Sequence, residues 1–221
     1  MVIIRLSGGL GNQMFQYAFG LRLRSLGREV YFDDVSGYEH QEETGVRRPV
    51  QLGDVFSIDY PRADGRELRR LRDARMDLPS RLRRKLLGRR SRERRDEDFI
   101  YDPSLLAMDE VYFSGCFQCA EYFLPIEEKV RRTFSFPETA PGMTAALRGK
   151  GEALREQNAV AVHFRFGDYL DKPETYGGIT TRAYYEKAFS LMAESADVSG
   201  ATQFYIFTND RVRAEDALRQ M

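Results

Sequence analysis

The sequence predicts an α/β protein with parallel sheets, and three observations carry that reading. The first 33 residues spell a strand, a glycine turn, a helix and a second strand. The run Ala159–Phe164 is apolar almost throughout, as a strand buried inside a parallel sheet would be. Strand and helix patterns then alternate again to the last residue. Composition agrees: of 221 residues, 42% are hydrophobic and 31% charged, enough apolar material for a core.

Element by element, Val2-Ile3-Ile4-Arg5-Leu6 reads as a short buried strand. Ser7 to Asn12 reads as a glycine-rich turn, followed by a helix to about Leu26. Met14, Phe15, Ala18, Phe19 and Leu21 form the expected apolar stripe of that helix, with Gln13, Gln16 and Arg24 opposite. Gly27 stands at its C-terminus, and Glu29 to Asp33 is the second strand. Residues 36–53 read as a polar loop, and residues 66–95 as arginine-rich helices broken near Pro79 and Gly88. Val111-Tyr112-Phe113 is a third strand, and residues 120–132 and 143–157 are helical. Past a boundary near residues 137–157, Ala159–Phe164 is a strand, residues 181–194 a helix with Thr181 as N-cap, residues 203–207 a strand and residues 213–221 a helix. This divides the chain into an N-terminal half, 1–150, carrying a helical insertion at 62–95, and the start of a second half, 151–221.

Several classes are excluded. Two cysteines three residues apart cannot brace a domain, and no apolar run approaches the roughly 20 residues that span a bilayer. The N-terminus lacks the basic and small-residue signals of a secretory leader, so the expectation is a soluble, cytoplasmic protein. Net charge is zero, yet Arg62 to Arg95 hold 15 basic and 5 acidic residues. Aromatics are absent between Tyr60 and Phe99, so the stretch offers no stacking platform for nucleic acid. A solvated helix face, peripheral to an anionic membrane surface, suits it better.

Three constellations could carry chemistry. Gly8-Gly9-Leu10-Gly11-Asn12-Gln13 joins a strand to a helix, where backbone N–H groups favour an anion. Met14 replaces the third glycine of a dinucleotide fingerprint, and no P-loop Lys-Ser or Lys-Thr follows. A tight turn without a ligand explains the glycines equally well. His163-Phe164-Arg165-Phe166-Gly167-Asp168-Tyr169 sits where open α/β sheets bind ligands. Arg165 could clamp a phosphate, with Asp168 and His163 supporting it; a buried histidine and an Arg–Asp ion pair is the plainer account. Cys116-Phe117-Gln118-Cys119 could be a dithiol or half a zinc site, but only His40 and His163 remain as histidine ligands. Two packed cysteines explain it better.

Together these segments resemble the α-1,2-fucosyltransferases of glycosyltransferase family 11. Ser7 to Ala18 (SGGLGNQMFQYA) resembles the family's N-terminal motif. Gly115-Cys116-Phe117-Gln118 with Glu121-Tyr122-Phe123 resembles its mid-chain segment, and His163 to Tyr169 its H-x-R-R-G-D-Y motif. Phe207-Thr208-Asn209-Asp210 stands where the family has F-S-D-D. The resemblance implies a GT-B-like fold of two Rossmann-like halves with parallel sheets. It implies inverting transfer of L-fucose from GDP-fucose to the 2-hydroxyl of a galactose-containing glycan, with no cofactor or metal. Arg165 then holds the β-phosphate, Asp168 and His163 support it, and Gly9, Gly11, Asn12 and Gln13 shape the donor side. From the N-terminus and the basic stretch at 62–95, the expected place is the cytoplasm, peripheral to the inner membrane of a bacterium. Phe166 replaces the family's second arginine. The family continues to a tryptophan-containing segment, whereas this chain ends at Met221 and has no Trp, so it resembles a truncated copy with an incomplete second half. A non-catalytic nucleotide-sugar-binding fragment is the rival reading, and a dehydrogenase a distant third.

Overall fold

The computed structural model describes residues 1–39, 49–96, 98–137, 142–166, 181–195 and 199–221. The chain divides into two compact units, Met1–Gly142 and Met143–Met221. In chain order, the first contains β1 (Val2–Arg5), α1 (Leu10–Ser25), β2 (Val30–Asp33), α2 (Leu52–Phe56), α3 (Gly65–Leu71) and α4 (Leu78–Leu87). It continues with β3 (Glu93–Asp96), α5 (Ser104–Ala107), β4 (Val111–Gly115), two 3₁₀ turns and α6 (Glu127–Thr133). The second unit contains α7 (Ala145–Arg155), β5 (Ala159–Phe164), α8 (Arg182–Ala193), β6 (Gln203–Thr208) and α9 (Arg211–Arg219).

The first unit is built on a parallel sheet of order β2-β1-β4-β3. Val2, Ile3 and Ile4 are each 0% exposed, because β1 is central and both of its faces are covered. Val2, Ile4 and Leu6 pack with α1, and Ile3 packs on the other face with Tyr112 and Leu71 of α3. A Cβ on Gly20 would meet the Phe32 ring at 2.6 Å, so glycine lets α1 lie close on the sheet. Gly27 (φ +80°) closes α1, with Arg28 N–H donating to the Leu23 carbonyl over 3.1 Å. α3 and α4 begin at Asp64 and Asp77, whose carboxylates accept from the N–H of Glu67 and Ser80.

Several expectations need correction. The α1 helix starts at Leu10, so Gly11 and Asn12 lie in its first turn rather than in a loop. Its apolar face is also rotated: Gln13 and Gln16 are 0% exposed, while Phe15 is 36% exposed. Three helical positions separate Gln13 from Gln16, so both share one inward face, and hydrogen bonding overrides their polarity. The helical breaks near Pro79 and Gly88 are as expected: α3 ends at Leu71 and α4 runs Leu78–Leu87, with Pro79 in its first turn, where its missing N–H costs nothing. The helical reading of residues 66–95 misses β3, a charged edge strand (Glu-Arg-Arg-Asp) paired with β4. Residues 120–132 are two 3₁₀ turns and a short helix rather than one helix.

In the second unit β5 and β6 pair in parallel, from Ala159 opposite Gln203 to Phe164 opposite Thr208. Val162, Phe164, Tyr185 of α8 and Ala214 of α9 form its core. The expected two-sided burial of β5 holds on one face only: Ala159, Ala161 and His163 are exposed. Thr181 caps α8, accepting from Tyr184 N–H over 3.2 Å. No helix among the described residues is long and apolar enough to cross a membrane.

Candidate functional site

In the first unit the chain leaves β1 for β2 on one side, while β4 flanks its other side. That crossover makes a crevice at the carboxyl ends of β1 and β4, the place where open α/β sheets take ligands. Ser7, Gly8 and Gly9 lead from β1 into α1 there. Gly8 has φ +74°, and a Cβ on it would sit 2.5 Å from the Asn12 amide nitrogen. Glycine therefore lets the Asn12 side chain fold back over the turn. Gly9 is the N-cap and supplies no side-chain acceptor, and the first turn of α1 holds no acidic residue. Among the described residues no side chain caps the positive end of this 16-residue helix. Gly11 is exposed, and a Cβ on it would meet nothing within 4 Å.

Two buried glutamines fix this turn from beneath. Gln13 donates to the carbonyls of Gly8 (3.1 Å) and Pro49 (3.0 Å) and accepts from Gln51 N–H (2.9 Å). Its amide is thus spent on the protein, and it shapes the turn rather than facing a ligand. Gln16 accepts from Ser7 N–H (2.9 Å) and donates to Ser7 Oγ (3.1 Å) and the Gly115 carbonyl (2.8 Å). It therefore ties the ends of β1 and β4 together.

The loop after β4 completes this cluster in the first unit. Phe117 is 0% exposed and has φ +53°, a strained conformation for a bulky residue. Stacking on Phe19 at 4.2 Å and a 2.7 Å hydrogen bond from its N–H to Asp96 hold it there. Gln118 is thereby turned toward α1, and its amide donates to Asn12 Oδ1 over 2.9 Å. Two motifs 106 residues apart thus meet. Cys116 and Cys119 are free thiols, and burial, with Asp96 nearby, pushes the Cys116 thiol up.

Two further groups stand at the strand ends, and the sequence reading passed over the first. Arg5 ends β1 half-buried, and its Nε finds no hydrogen-bond partner among the described residues. The signal was present: a charge closing an otherwise apolar strand. Asp33, 2% exposed, ends β2. Burial pushes its carboxyl up, but hydrogen bonds from Ser36, Tyr112 and Val35 outweigh this and hold it below its ordinary value. Tyr112 OH donates to it over 2.7 Å, and burial together with that carboxylate raises the phenol. Asp33 is thus an ionised anchor for the β2 end.

The second unit carries its own candidate residues. His163 is exposed at the end of β5, and its carbonyl accepts from Tyr185 OH over 2.8 Å. Phe164 stacks on Tyr185 at 4.2 Å, so Arg165 leaves the strand from a rigid base. Arg165 is half-buried. Phe166 lies over Phe164, rings 6.2 Å apart and nearly parallel, and joins the core. Asn209 clamps it, accepting from Phe166 N–H (2.8 Å) and donating to its carbonyl (3.0 Å). Asp210 caps α9 through Arg213 N–H. Asp168 lies outside the described residues. The structure thus brings Gly9, Gly11, Asn12 and Gln13 together in one unit, and His163 and Arg165 in the other.

The architecture is that of a mixed α/β protein with parallel sheets whose candidate groups gather at strand carboxyl ends. The chain is 27% identical over 221 residues to an α-1,2-colitosyltransferase of Escherichia coli, spanning 95% of this chain and 69% of that protein. It is 27% identical over 226 residues to the O-antigen biosynthesis glycosyltransferase WbnK of Escherichia coli, spanning 96% of this chain and 73% of that one. Both relatives are named as glycosyltransferases. No protein-family profile and no solved structure matches the chain.

Proposed function

We propose that the protein is an inverting glycosyltransferase of GT-B type. In this reading it moves L-fucose from GDP-fucose to the 2-hydroxyl of a galactoside during glycan or surface-polysaccharide synthesis. The observation that carries the proposal is the join between Asn12 and Gln118 beside the N-terminus of α1. Two segments far apart in sequence, both matching the fucosyltransferase pattern, form one crevice.

The chemistry asks little of the protein beyond placement and charge. The acceptor oxygen attacks the anomeric carbon as the bond to the β-phosphate oxygen breaks, and the acceptor proton passes to a base. Negative charge gathers on the departing diphosphate. Arg165 neutralises it with a planar guanidinium that can take two phosphate oxygens at once. Asp168 and His163 act as supports for Arg165, while Gly9, Gly11 and Asn12 shape the donor side and Gln13 holds their turn. Phe166 gives this site one fewer cation than the family pattern, and its place in the core shows what it does instead.

The named colitosyltransferase among the relatives favours a second donor, GDP-colitose, which differs from GDP-fucose by one hydroxyl. The deciding experiment is GDP release, with each donor and a β-galactoside acceptor, by a full-length version of the protein that supplies the family's downstream segment. Product formation with GDP-fucose alone supports the first reading, and with GDP-colitose alone the second. Release with neither donor overturns both.

A further inference from the structure

We propose that α4 is a lipid-docking helix that seats the first unit on an anionic phospholipid bilayer. On a surface helix of a globular protein, apolar residues normally face the core and charges face water. In α4 the arrangement is reversed. Arg83 is ion-paired with the Asp73 carboxylate, and Arg84 donates to the carbonyls of Asp73 (3.1 Å) and Arg75 (2.6 Å). Two arginines therefore fasten the helix to the body of the unit.

The leucines point the other way. Leu78, Leu82 and Leu86, four residues apart, share one face and are 77%, 59% and 71% exposed. Met76 just before the helix is 74% exposed, and no residue of α4 is buried. The helix is nevertheless well formed: Asp77 caps it, Pro79 sits in its first turn and Gly88 ends it. A single exposed leucine needs no explanation, but an ordered stripe of them does.

Charge identifies the occupant. Arg81 and Lys85 flank the stripe, and Arg89 and Arg90 follow it, all exposed. Among the described residues these four side chains form no ion pair. Beside the helix start, an open hollow of about 530 Å³ is lined by Arg66, Arg69, Arg75, Met76 and Asp77. A leucine face rimmed by free cations suits an interface where acyl chains lie beneath negative headgroups. The helix would lie in the plane of that interface, leucines down. This inference is independent of the catalytic reading, since it rests on a face that contains none of the candidate site residues.

The test is co-sedimentation of the full chain with phosphatidylcholine vesicles, with and without phosphatidylglycerol. The protein should bind the anionic vesicles, lose binding as salt is raised, and leave the neutral ones in solution. The double variant L82E/L86E alters only exposed positions, so circular dichroism should be unchanged, while its partitioning falls at least about tenfold. No binding to anionic vesicles overturns the proposal. Equal binding by the variant also overturns it, because attraction without the leucines is charge alone. A wild-type dimer that L82E/L86E converts to monomer overturns it too, assigning the stripe to a second copy of the chain.

Discussion

Replacing Gln16 tests how the crevice of the first unit is held. Gln16 is 0% exposed and makes three hydrogen bonds, to Ser7 N–H, Ser7 Oγ and the Gly115 carbonyl. Gln16→Leu keeps the volume and removes all three. Ser7 N–H and the Gly115 carbonyl are then orphaned, at about 1–3 kcal/mol each, less a small gain from burying more apolar surface. A loss of about 3 kcal/mol is expected, which lowers the melting temperature of a unit this size by roughly 6–12 °C. Gln16→Glu sharpens the test. An ionised carboxylate can accept from Ser7 but faces the Gly115 carbonyl, acceptor against acceptor. Its folded pKa is therefore raised, the folded state binds the extra proton, and stability falls as pH rises through that pKa. Calorimetry of both variants at pH 7, and of Gln16→Glu at pH 5 against wild type, checks this. A Leu variant within about 1 kcal/mol of wild type would refute the reasoning, as would a Glu variant whose deficit does not shrink in acid.

Other outcomes follow from the same geometry. Arg165→Ala should cut GDP release by more than tenfold, a loss above ~1.4 kcal/mol in the transition state, with Arg165→Lys recovering only part; near-normal turnover by the Ala variant removes Arg165 from the proposal. Transfer should continue in EDTA, since Arg165 meets the electrostatic need of the leaving diphosphate; activity lost on chelation and restored by Mg²⁺ or Mn²⁺ counts against this. Asp33→Asn should destabilise the protein at neutral pH, and the gap from wild type should close in acid. The folded pKa of Asp33 lies below the ordinary 3.8, so its contribution is complete above that value and lost as pH falls through the lower one. A gap that persists to pH 2 on chemical denaturation would contradict the anchoring role.

The elements legible in the sequence were those where burial and pattern coincide. β1, β2 and β4 are short apolar runs beside glycine or loop signals, and each is a strand in the structure. β3 was illegible because an edge strand needs backbone partners and no apolar side chains: Glu93 to Asp96 pair with β4 as a parallel ladder, and the side-chain bond between the two strands, from Ser114 Oγ to the Glu93 carboxylate (3.0 Å), is polar. The face of α1 was misread for a related reason. Periodicity ranks Gln as polar, but Gln13 and Gln16 are worth burying once backbone groups of Gly8, Ser7, Pro49, Gln51 and Gly115 surround them. Those partners are brought together only by the folded sheet, so no local window contains the information.

The site follows the same logic one level up. Asn12 and Arg165 stand out in the sequence because each lies just past an apolar strand, where a polar side chain meets the crevice side of a sheet. What the sequence hides is the machinery that holds them. Phe117 must enter a conformation with positive φ for Gln118 to reach Asn12, and the stack on Phe19 with the bond to Asp96 is what stabilises it. In the second unit Phe166, which looks like the loss of a cation, is a packing residue gripped by Asn209 on both its N–H and its carbonyl. Phe166 and Asn209, which both differ from the motifs that the sequence resembles, are therefore joined. An apolar side chain in place of the arginine closes the core beneath the β5 end. An amide in place of the aspartate supplies both a donor and an acceptor, where a carboxylate could only accept. Changing one back without the other would leave either a buried guanidinium or an unmatched carbonyl. The pair should accordingly behave as a unit in a double-mutant cycle, with Phe166→Arg and Asn209→Asp less damaging together than the sum of their separate effects on stability.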